Sequence, residues 1–184
     1  MTRSATPGQT VGPFFHYALP YPGDRELVPP GTAGAVLLHG TVRDGDGAAI
    51  PDALLEIWQA DPDGRVLQRA GSLRRDGFTF TGFGRAATDA SGRYSFSTLV
   101  PGAVEGGLPF FAVTVFARGL LNRLFTRAYL PLADGAEPDA LLRSAGDRAG
   151  TLLCVADDHG FRFDVHLQGD GETVFLSYPG HRGD

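Results

Sequence analysis

The stretch Leu108–Gly119, with the sequence LPFFAVTVFARG, decides the fold. It is a nearly continuous apolar run, rich in β-branched and aromatic residues, that ends at the charge of Arg118. Branched side chains lose χ1 freedom in a helix but fit a pleated sheet, and the run is short and approached through glycines. It therefore predicts a strand buried on both faces. Successive side chains point to opposite faces of a strand. One face then carries Phe110, Ala112, Thr114 and Phe116, and the other carries Phe111, Val113 and Val115.

The chain around this strand alternates short apolar runs with turns built from Asp and Gly. Asp side chains bond the nearby backbone in such turns, and Gly supplies positive φ. The predicted strands are Ala35–Val42, Leu54–Ala60, Phe78–Phe83, Arg85–Thr88, Tyr94–Thr98, Leu124–Leu130 and a hairpin of Leu152–Val155 with Phe161–Leu167. A single short helix is predicted over Pro138–Ala145, because Pro suits a first helical turn and Gly146 follows. Many short strands with almost no helix predict an all-β protein, an antiparallel β-sandwich.

The N-terminal segment, residues 1–34, differs from the rest because it carries six prolines. Proline cannot donate to a strand ladder, so the segment is predicted to be an extended arm. Its apolar residues Val11, Phe14, Phe15 and Tyr17 would be costly in water, which favours an arm docked on this chain or on a partner. The predicted organisation is therefore an arm (1–34), a β-sandwich domain (35–178) and a short tail (179–184).

Composition excludes several classes of function. The formal net charge of -5 argues against binding to nucleic acid or to an anionic membrane surface. The single cysteine, Cys154, forbids an internal disulfide and fits a reducing compartment. The N-terminal sequence shows no signal peptide, and no stretch reaches the roughly 20 apolar residues of a membrane span. We therefore expect a soluble cytoplasmic protein.

Residues that could carry chemistry are sparse. The five histidines are scattered without a His-x-His pair, and the Asp-Gly turns lack the remaining ligands of a calcium loop. Arg118 stands out because it ends an apolar strand, where a guanidinium normally has a partner. A structural ion pair with Asp or Glu and the recognition of an anionic ligand are both open, and from spacing alone the ion pair is the commoner arrangement.

Several stretches, taken in order, resemble one family, the intradiol ring-cleavage dioxygenases. They are TPGQTVGPFF (6–15), LEIWQAD (55–61), GRAATDASGRYSF (84–96), VFARG (115–119) and FRFDVHLQGDGETVF (161–175). Each motif is modest alone, but together they span nearly the whole chain. The family implies a β-sandwich whose catalytic chain binds Fe(III) through two tyrosines and two histidines.

The resemblance also implies that this chain has lost all four iron ligands. The histidine positions are taken by Phe110 and Ala112, or by Phe111 and Val113 if the register is one residue later. The tyrosine positions correspond to Val66, after Gly64-Arg65, and to Val104 or its neighbour Ala103, after Pro101-Gly102. Phe, Ala and Val offer no donor atom to ferric iron, so we expect this chain to bind no metal and the Fe(III) to be held by a partner.

Some members of the family combine a non-catalytic chain with a homologous iron-binding chain, the β subunit. On that basis the resemblance assigns Thr10, Gly12, Pro13 and Arg118 to the wall of the partner's substrate site. The substrate would be a small aromatic acid with two adjacent hydroxyls, cleaved by O2. An alternative is a non-enzymatic β-sandwich that serves as a binding or scaffold module and has kept the fold without the chemistry.

Overall fold

The computed structural model describes residues 15–69 and 75–178, which form two sheets and few helices. In chain order, the elements are α1 (Phe15–Ala18), β1 (Ala35–Arg43), β2 (Leu54–Trp58), β3 (Phe83–Ala87), β4 (Arg93–Leu99), β5 (Phe110–Phe116), β6 (Leu124–Tyr129), α2 (Ala140–Ala145), a 3₁₀ helix (Gly146–Leu152), β7 (Val155–Asp157), β8 (Gly160–Arg162) and β9 (Val165–His166). The first sheet has the order β4-β1-β8-β7, with β9 also pairing with β1, and the second has the order β3-β2-β5-β6. The all-β sandwich predicted from the sequence is confirmed.

The core lies between the two sheets, and β5 supplies its centre. Phe111, Val113 and Val115 are at most 2% exposed and pack in one cluster with side chains from both sheets. The opposite face of β5 is only half-buried, so the expectation of burial on both faces was wrong. Phe110 packs beside Tyr129 and Phe116 beside Phe15, yet both rings stay partly exposed in the described part of this chain.

Three other local predictions were wrong. Residues 78–82 form no strand, and the ladder of that edge begins only at Phe83. Leu152 closes the 3₁₀ helix instead of starting a strand. The predicted strand over 161–167 is split into β8 and β9, and both pair with β1 in parallel. A side-chain pattern of period two does not reveal the direction of the neighbouring strand, which is why this pairing was missed.

The segment 19–28 is tied to both sheets. The amide of Leu27 donates to the carbonyl of Ser97 in β4 at 2.8 Å, and the amide of Arg85 in β3 donates to the carbonyl of Asp24 at 2.8 Å. The side chain of Leu27 also enters the main core. This part of the predicted arm thus closes one edge of the sandwich. Neither α-helix of the described chain could cross a membrane, since the longer has six residues.

The helix α2 is held by Asp139, which serves two groups at once. Its Oδ1 atom accepts the Leu142 amide at 2.9 Å as an N-cap, and its Oδ2 atom accepts the Tyr129 hydroxyl at 2.7 Å. Burial acts to raise the pKa of Asp139, but the hydrogen bonds from Leu142 and Tyr129 and the charge of Arg127 outweigh it and lower that pKa. The stabilisation is therefore present above the unfolded pKa and is lost as the pH falls through the folded one.

Replacing Asp139 with Ala is expected to lower the free energy of unfolding by about 1–2 kcal/mol near neutral pH, because it removes a cap and a tyrosine acceptor. Urea unfolding followed by circular dichroism measures this, and the difference should shrink below about pH 4. Ser144→Ala is the matched control, since its exposed hydroxyl bonds only the carbonyl of Leu141 one turn back. Equal destabilisation by both variants would contradict the role given to Asp139.

Candidate functional site

A small apolar pocket opens on the outer face of the second sheet, at the start of β5. Its volume is about 190 Å³, below the roughly 300–1,000 Å³ usual for small-molecule sites. We call it the β5 pocket. It is lined by Trp58, Gln59, Ala60, Val66, Gly102, Val104, Phe110 and Ala112. The positions that the family resemblance singled out as emptied iron ligands, Val66, Val104, Phe110 and Ala112, therefore lie around one cavity.

The strand register decides which residues of β5 face this pocket. Phe110 and Ala112 point outward and line it, whereas Phe111 and Val113 point into the core. The alternative placement of the lost histidines, one residue later, would therefore put them between the two sheets.

Two glycines bring the loops of the pocket together. A Cβ atom built on Gly64 would lie 2.1 Å from the carbonyl oxygen of Ala103, and one on Gly102 would lie 2.4 Å from the amide nitrogen of Gly64. The turn that precedes Val66 and the loop that carries Val104 therefore touch through their backbones. Only glycine at both positions permits this approach, because any side chain would separate the loops.

The pocket offers no ligands for a metal ion. Val66, Val104, Phe110 and Ala112 carry no donor atom, and ferric iron needs anionic oxygen or imidazole nitrogen. The amide of Gln59 is already engaged, since its Oε1 atom accepts the Thr98 hydroxyl at 2.5 Å and its Nε2 atom donates to the Leu99 carbonyl at 2.9 Å. The side chains at the four positions thus do not fit the iron that the family resemblance implies.

Aromatic and cationic groups pack around Phe110. The guanidinium of Arg127 lies 4.1 Å from the centroid of the Phe110 ring, and its Nη1 atom donates to the Tyr129 hydroxyl at 3.0 Å. Burial is the main reason that the pKa of Tyr129 is raised to about 12, and the hydrogen bond to Asp139 adds to it. Tyr129 is therefore a neutral donor at physiological pH. Sequence reasoning missed Trp58 and Arg127 as neighbours of the pocket, although Trp58 lies within the LEIWQAD motif.

Arg118 lies in the turn that follows the other end of β5, and the strand itself spans about 20 Å from Phe110 to Phe116. Its Nε atom is 3.3 Å from Oδ2 of Asp52, and 64% of its side chain is exposed while that of Asp52 is 10% exposed. The structural ion pair that the sequence left open is thus present. Asp52 is buried and its Oδ1 atom has no hydrogen-bond partner within the described residues, so Arg118 is the group that compensates this carboxylate.

The N-terminal segment reaches the same end of β5. Phe15 is buried, and its ring centroid lies 6.3 Å from that of Phe116, two residues before Arg118. Thr10, Gly12 and Pro13 lie outside the described residues.

The remaining candidate groups are dispersed. His39 bonds Asp157 at 2.9 Å between Nε2 and Oδ2, on the outer face of the first sheet. Cys154 is buried, which raises the pKa of its thiol to about 12 and leaves it a core residue. Within residues 15–69 and 75–178, no three His, Cys, Asp or Glu side chains come close enough together to hold a metal ion.

Comparison with known sequences points to one family. The sequence model of the Dioxygenase family matches residues 19–107. A protein named protocatechuate 3,4-dioxygenase alpha chain, from Burkholderia cepacia, is 39% identical over 196 aligned residues, which cover 95% of this chain and 98% of that protein. The protocatechuate 3,4-dioxygenase beta chain of the same species is 29% identical and covers 75% of this chain and 66% of its own length.

Comparison with solved structures gives the same result as the sequence comparison. The dioxygenase domain of a dioxygenase–carbohydrate-binding fusion protein from Streptomyces sp. SirexAA-E superposes with a TM-score of 0.56 at 25% identity. The match covers 90% of this chain and 99% of that domain. Similarity thus extends over the whole sandwich and is not confined to single motifs.

Proposed function

This chain belongs to the intradiol dioxygenase family, and from that membership we propose that it is the non-iron-binding α subunit of a protocatechuate 3,4-dioxygenase. In this proposal it assembles with a homologous β subunit that holds Fe(III). The complex cleaves 3,4-dihydroxybenzoate with O2 between the two hydroxyl-bearing carbons and gives 3-carboxy-cis,cis-muconate. Both oxygen atoms enter the product, so the reaction needs no further reductant.

The observation that carries the proposal is the chemistry of the β5 pocket. The cavity lies where the family resemblance places the iron ligands. The side chains around it, Val66, Val104, Phe110 and Ala112, give a metal no donor atom. A chain with this pocket needs another subunit to supply the iron. The similarity to proteins named as alpha and beta chains supports an arrangement of two homologous subunits.

The end of β5 near Arg118 supports the proposed contribution of this chain to the partner's substrate site. Arg118 is mostly exposed there, and Phe15 anchors the N-terminal segment next to it. We assign Arg118 to the binding of the anionic substrate or ring-opened intermediates in the partner's site. Thr10, Gly12 and Pro13 would form the wall beside it, since small residues and proline can line a pocket without filling it.

The half-exposed outer face of β5 also fits assembly. Phe110, Ala112 and Phe116 are apolar but only partly covered in the described chain. Burying such a face against a second sandwich removes apolar surface from water, which is the main driving force of permanent association. A cytoplasmic location stays a prediction.

Metal content and ring cleavage of the purified chain, alone and co-expressed with its β subunit, test the proposal. We expect the chain alone to contain no stoichiometric iron and to be inactive. The complex should be coloured, iron-loaded and active towards protocatechuate. Metal analysis and the loss of protocatechuate absorbance measure these two outcomes.

Two other results would overturn the proposal. Stoichiometric iron and ring opening by the chain alone would show that the four positions are wrongly assigned. A chain that never co-purifies with a homologous iron protein, as judged by native mass measurement on cell extract, would instead favour the non-enzymatic scaffold module.

A further inference from the structure

A broad concave surface of the described chain lies on the outer face of the first sheet, across the core from the β5 pocket. It is an open groove of about 630 Å³, within the range typical of small-molecule sites. We call it the arginine groove, because four arginines line it: Arg25, Arg43, Arg93 and Arg162. The groove takes no part in the function proposed above.

Strand register explains why these side chains converge. Thr41 of β1 pairs with Arg93 of β4, and His39 of β1 pairs with Arg162 of β8. Directly paired residues share a face, and residues two apart on one strand also share it. The inner face of β1 is occupied by buried Leu38 and Val42. The side chains of His39, Thr41, Arg93 and Arg162 must therefore lie together on the outer face.

The arginine groove carries excess positive charge on a chain whose formal net charge is -5. Two carboxylates, Asp89 and Asp164, lie among the four guanidinium groups. Asp164 is already engaged, since its Oδ1 atom accepts both the amide and the hydroxyl of Thr41 at 2.9 Å. Asp89 accepts the amides of Ser91 and Arg93 at 2.8 and 3.0 Å. The carboxylates of Asp89 and Asp164 thus already accept hydrogen bonds that hold the local backbone in place.

The arginines, by contrast, keep much of their hydrogen-bonding capacity. Arg162 makes only a long ion pair, 3.7 Å from its Nε atom to Asp164, and Arg43 donates to the carbonyl of Gly47 at 2.9 Å. Within the described residues, the side chains of Arg25 and Arg93 make no hydrogen bond or ion pair at contact distance. The charge of Arg25 acts on the nearby carboxylate of Asp24, and that of Arg93 acts on the carboxylate of Asp89.

We propose that the arginine groove binds a small anion with two or more negative groups, either carboxylates or phosphates. Guanidinium groups suit this ligand class because their planar forks match carboxylate and phosphate oxygens. Arg25 and Arg93 belong to the β4 side of the groove, since the Arg25 carbonyl accepts the Ser97 amide of β4, whereas Arg162 belongs to β8 on the other side of β1. An anion that is charged at both ends can therefore contact both sides. A ligand with a single charge reaches only one.

Calorimetric titration of the full chain tests this proposal with citrate as the probe and acetate as the singly charged control. Pyrophosphate forms a third arm that distinguishes phosphate from carboxylate recognition. Citrate or pyrophosphate should bind at least about tenfold more tightly than acetate, because each added guanidinium contact contributes about one power of ten. Binding should weaken as sodium chloride is raised.

Substitutions locate the site. R25Q and R93Q are each expected to weaken citrate binding about tenfold, since each removes one charged contact. R148Q is the matched control, because Arg148 is likewise exposed but lies outside the arginine groove and pairs with Glu172. Circular dichroism confirms that each variant is folded, and the two single variants are independent of each other.

Three outcomes would overturn the proposal: no binding of citrate or pyrophosphate at millimolar concentration, equal binding of acetate, or equal loss in R148Q and R93Q. The readout involves neither iron nor ring cleavage. Failure of this inference therefore leaves the proposed function untouched, and failure of the proposed function leaves this inference untouched.

Discussion

Replacing Arg118 with Ala in the proposed complex with a β subunit is expected to lower kcat/KM for protocatechuate by about 10–100-fold. The expectation rests on the proposed role of Arg118 beside the partner's substrate. A charge-assisted hydrogen bond to an anion in a site that excludes water contributes about 1.5–3 kcal/mol, and each 1.4 kcal/mol is tenfold in rate. Steady-state kinetics of the co-purified complex measure the effect.

Two control variants separate this role from surface charge and from stability. Arg123→Ala removes an exposed arginine from the same β5–β6 connection and is expected to leave kcat/KM within about twofold, since surface substitutions usually have small effects. Asp52→Asn removes the ion-pair partner of Arg118 but keeps the guanidinium, so activity should stay within a few-fold of the parent complex. Unchanged kcat and KM in R118A would remove Arg118 from the substrate site.

The second large effect is expected from Gly64→Ala, which should lower the free energy of unfolding by about 2–4 kcal/mol. Gly64 has φ +82°, a conformation that costs an alanine about 1 kcal/mol or more. The added Cβ would also lie 2.1 Å from the Ala103 carbonyl oxygen, so the two loops of the β5 pocket must move apart. Urea unfolding of the full chain measures the loss.

Gly47→Ala isolates the backbone component of that loss. Gly47 has φ +80°, but no atom lies within 4 Å of the position that an added methyl group would take, so its substitution meets the same strain without the clash. We expect about 1 kcal/mol of destabilisation at Gly47. If the two variants lose equal stability, the close contact between the pocket loops does not contribute.

Much of the fold was predictable because most of the chain forms strands, and strands that face a core are rich in β-branched and aromatic residues. Alternating or continuous β-branched and aromatic residues indicated β1, β2, β4, β5 and β6 to within about two residues, as expected for strands that face a core. Pro138 and Gly146 likewise predicted the end of α2 and placed its start two residues too early, at Pro138 instead of Ala140. The parallel pairing of β8 and β9 with β1 was not predictable, because strand direction depends on residues far apart in sequence.

The candidate site was predictable in part, and for a different reason. Residue chemistry alone left Arg118 open between an ion pair and a ligand contact, and the structure contains the pair with Asp52. The grouping of Val66, Val104, Phe110 and Ala112 came from the family resemblance, since no apolar pattern marks a lost metal site. The arginine groove was not foreseen, because its four arginines come from separate segments that only strand register brings together.

The double pairing of β1 has a consequence for how the protein is made. This strand lies near the start of the chain, yet one of its two edges is completed only by β8 and β9, close to the C-terminal end of the described residues. A nascent chain on the ribosome thus carries β1 with an open edge until residues 160–166 have emerged. Open edges invite pairing with other chains, and contacts of such sequence separation form slowly. We therefore expect chains truncated before residue 160, which lack β8 and β9, to be insoluble.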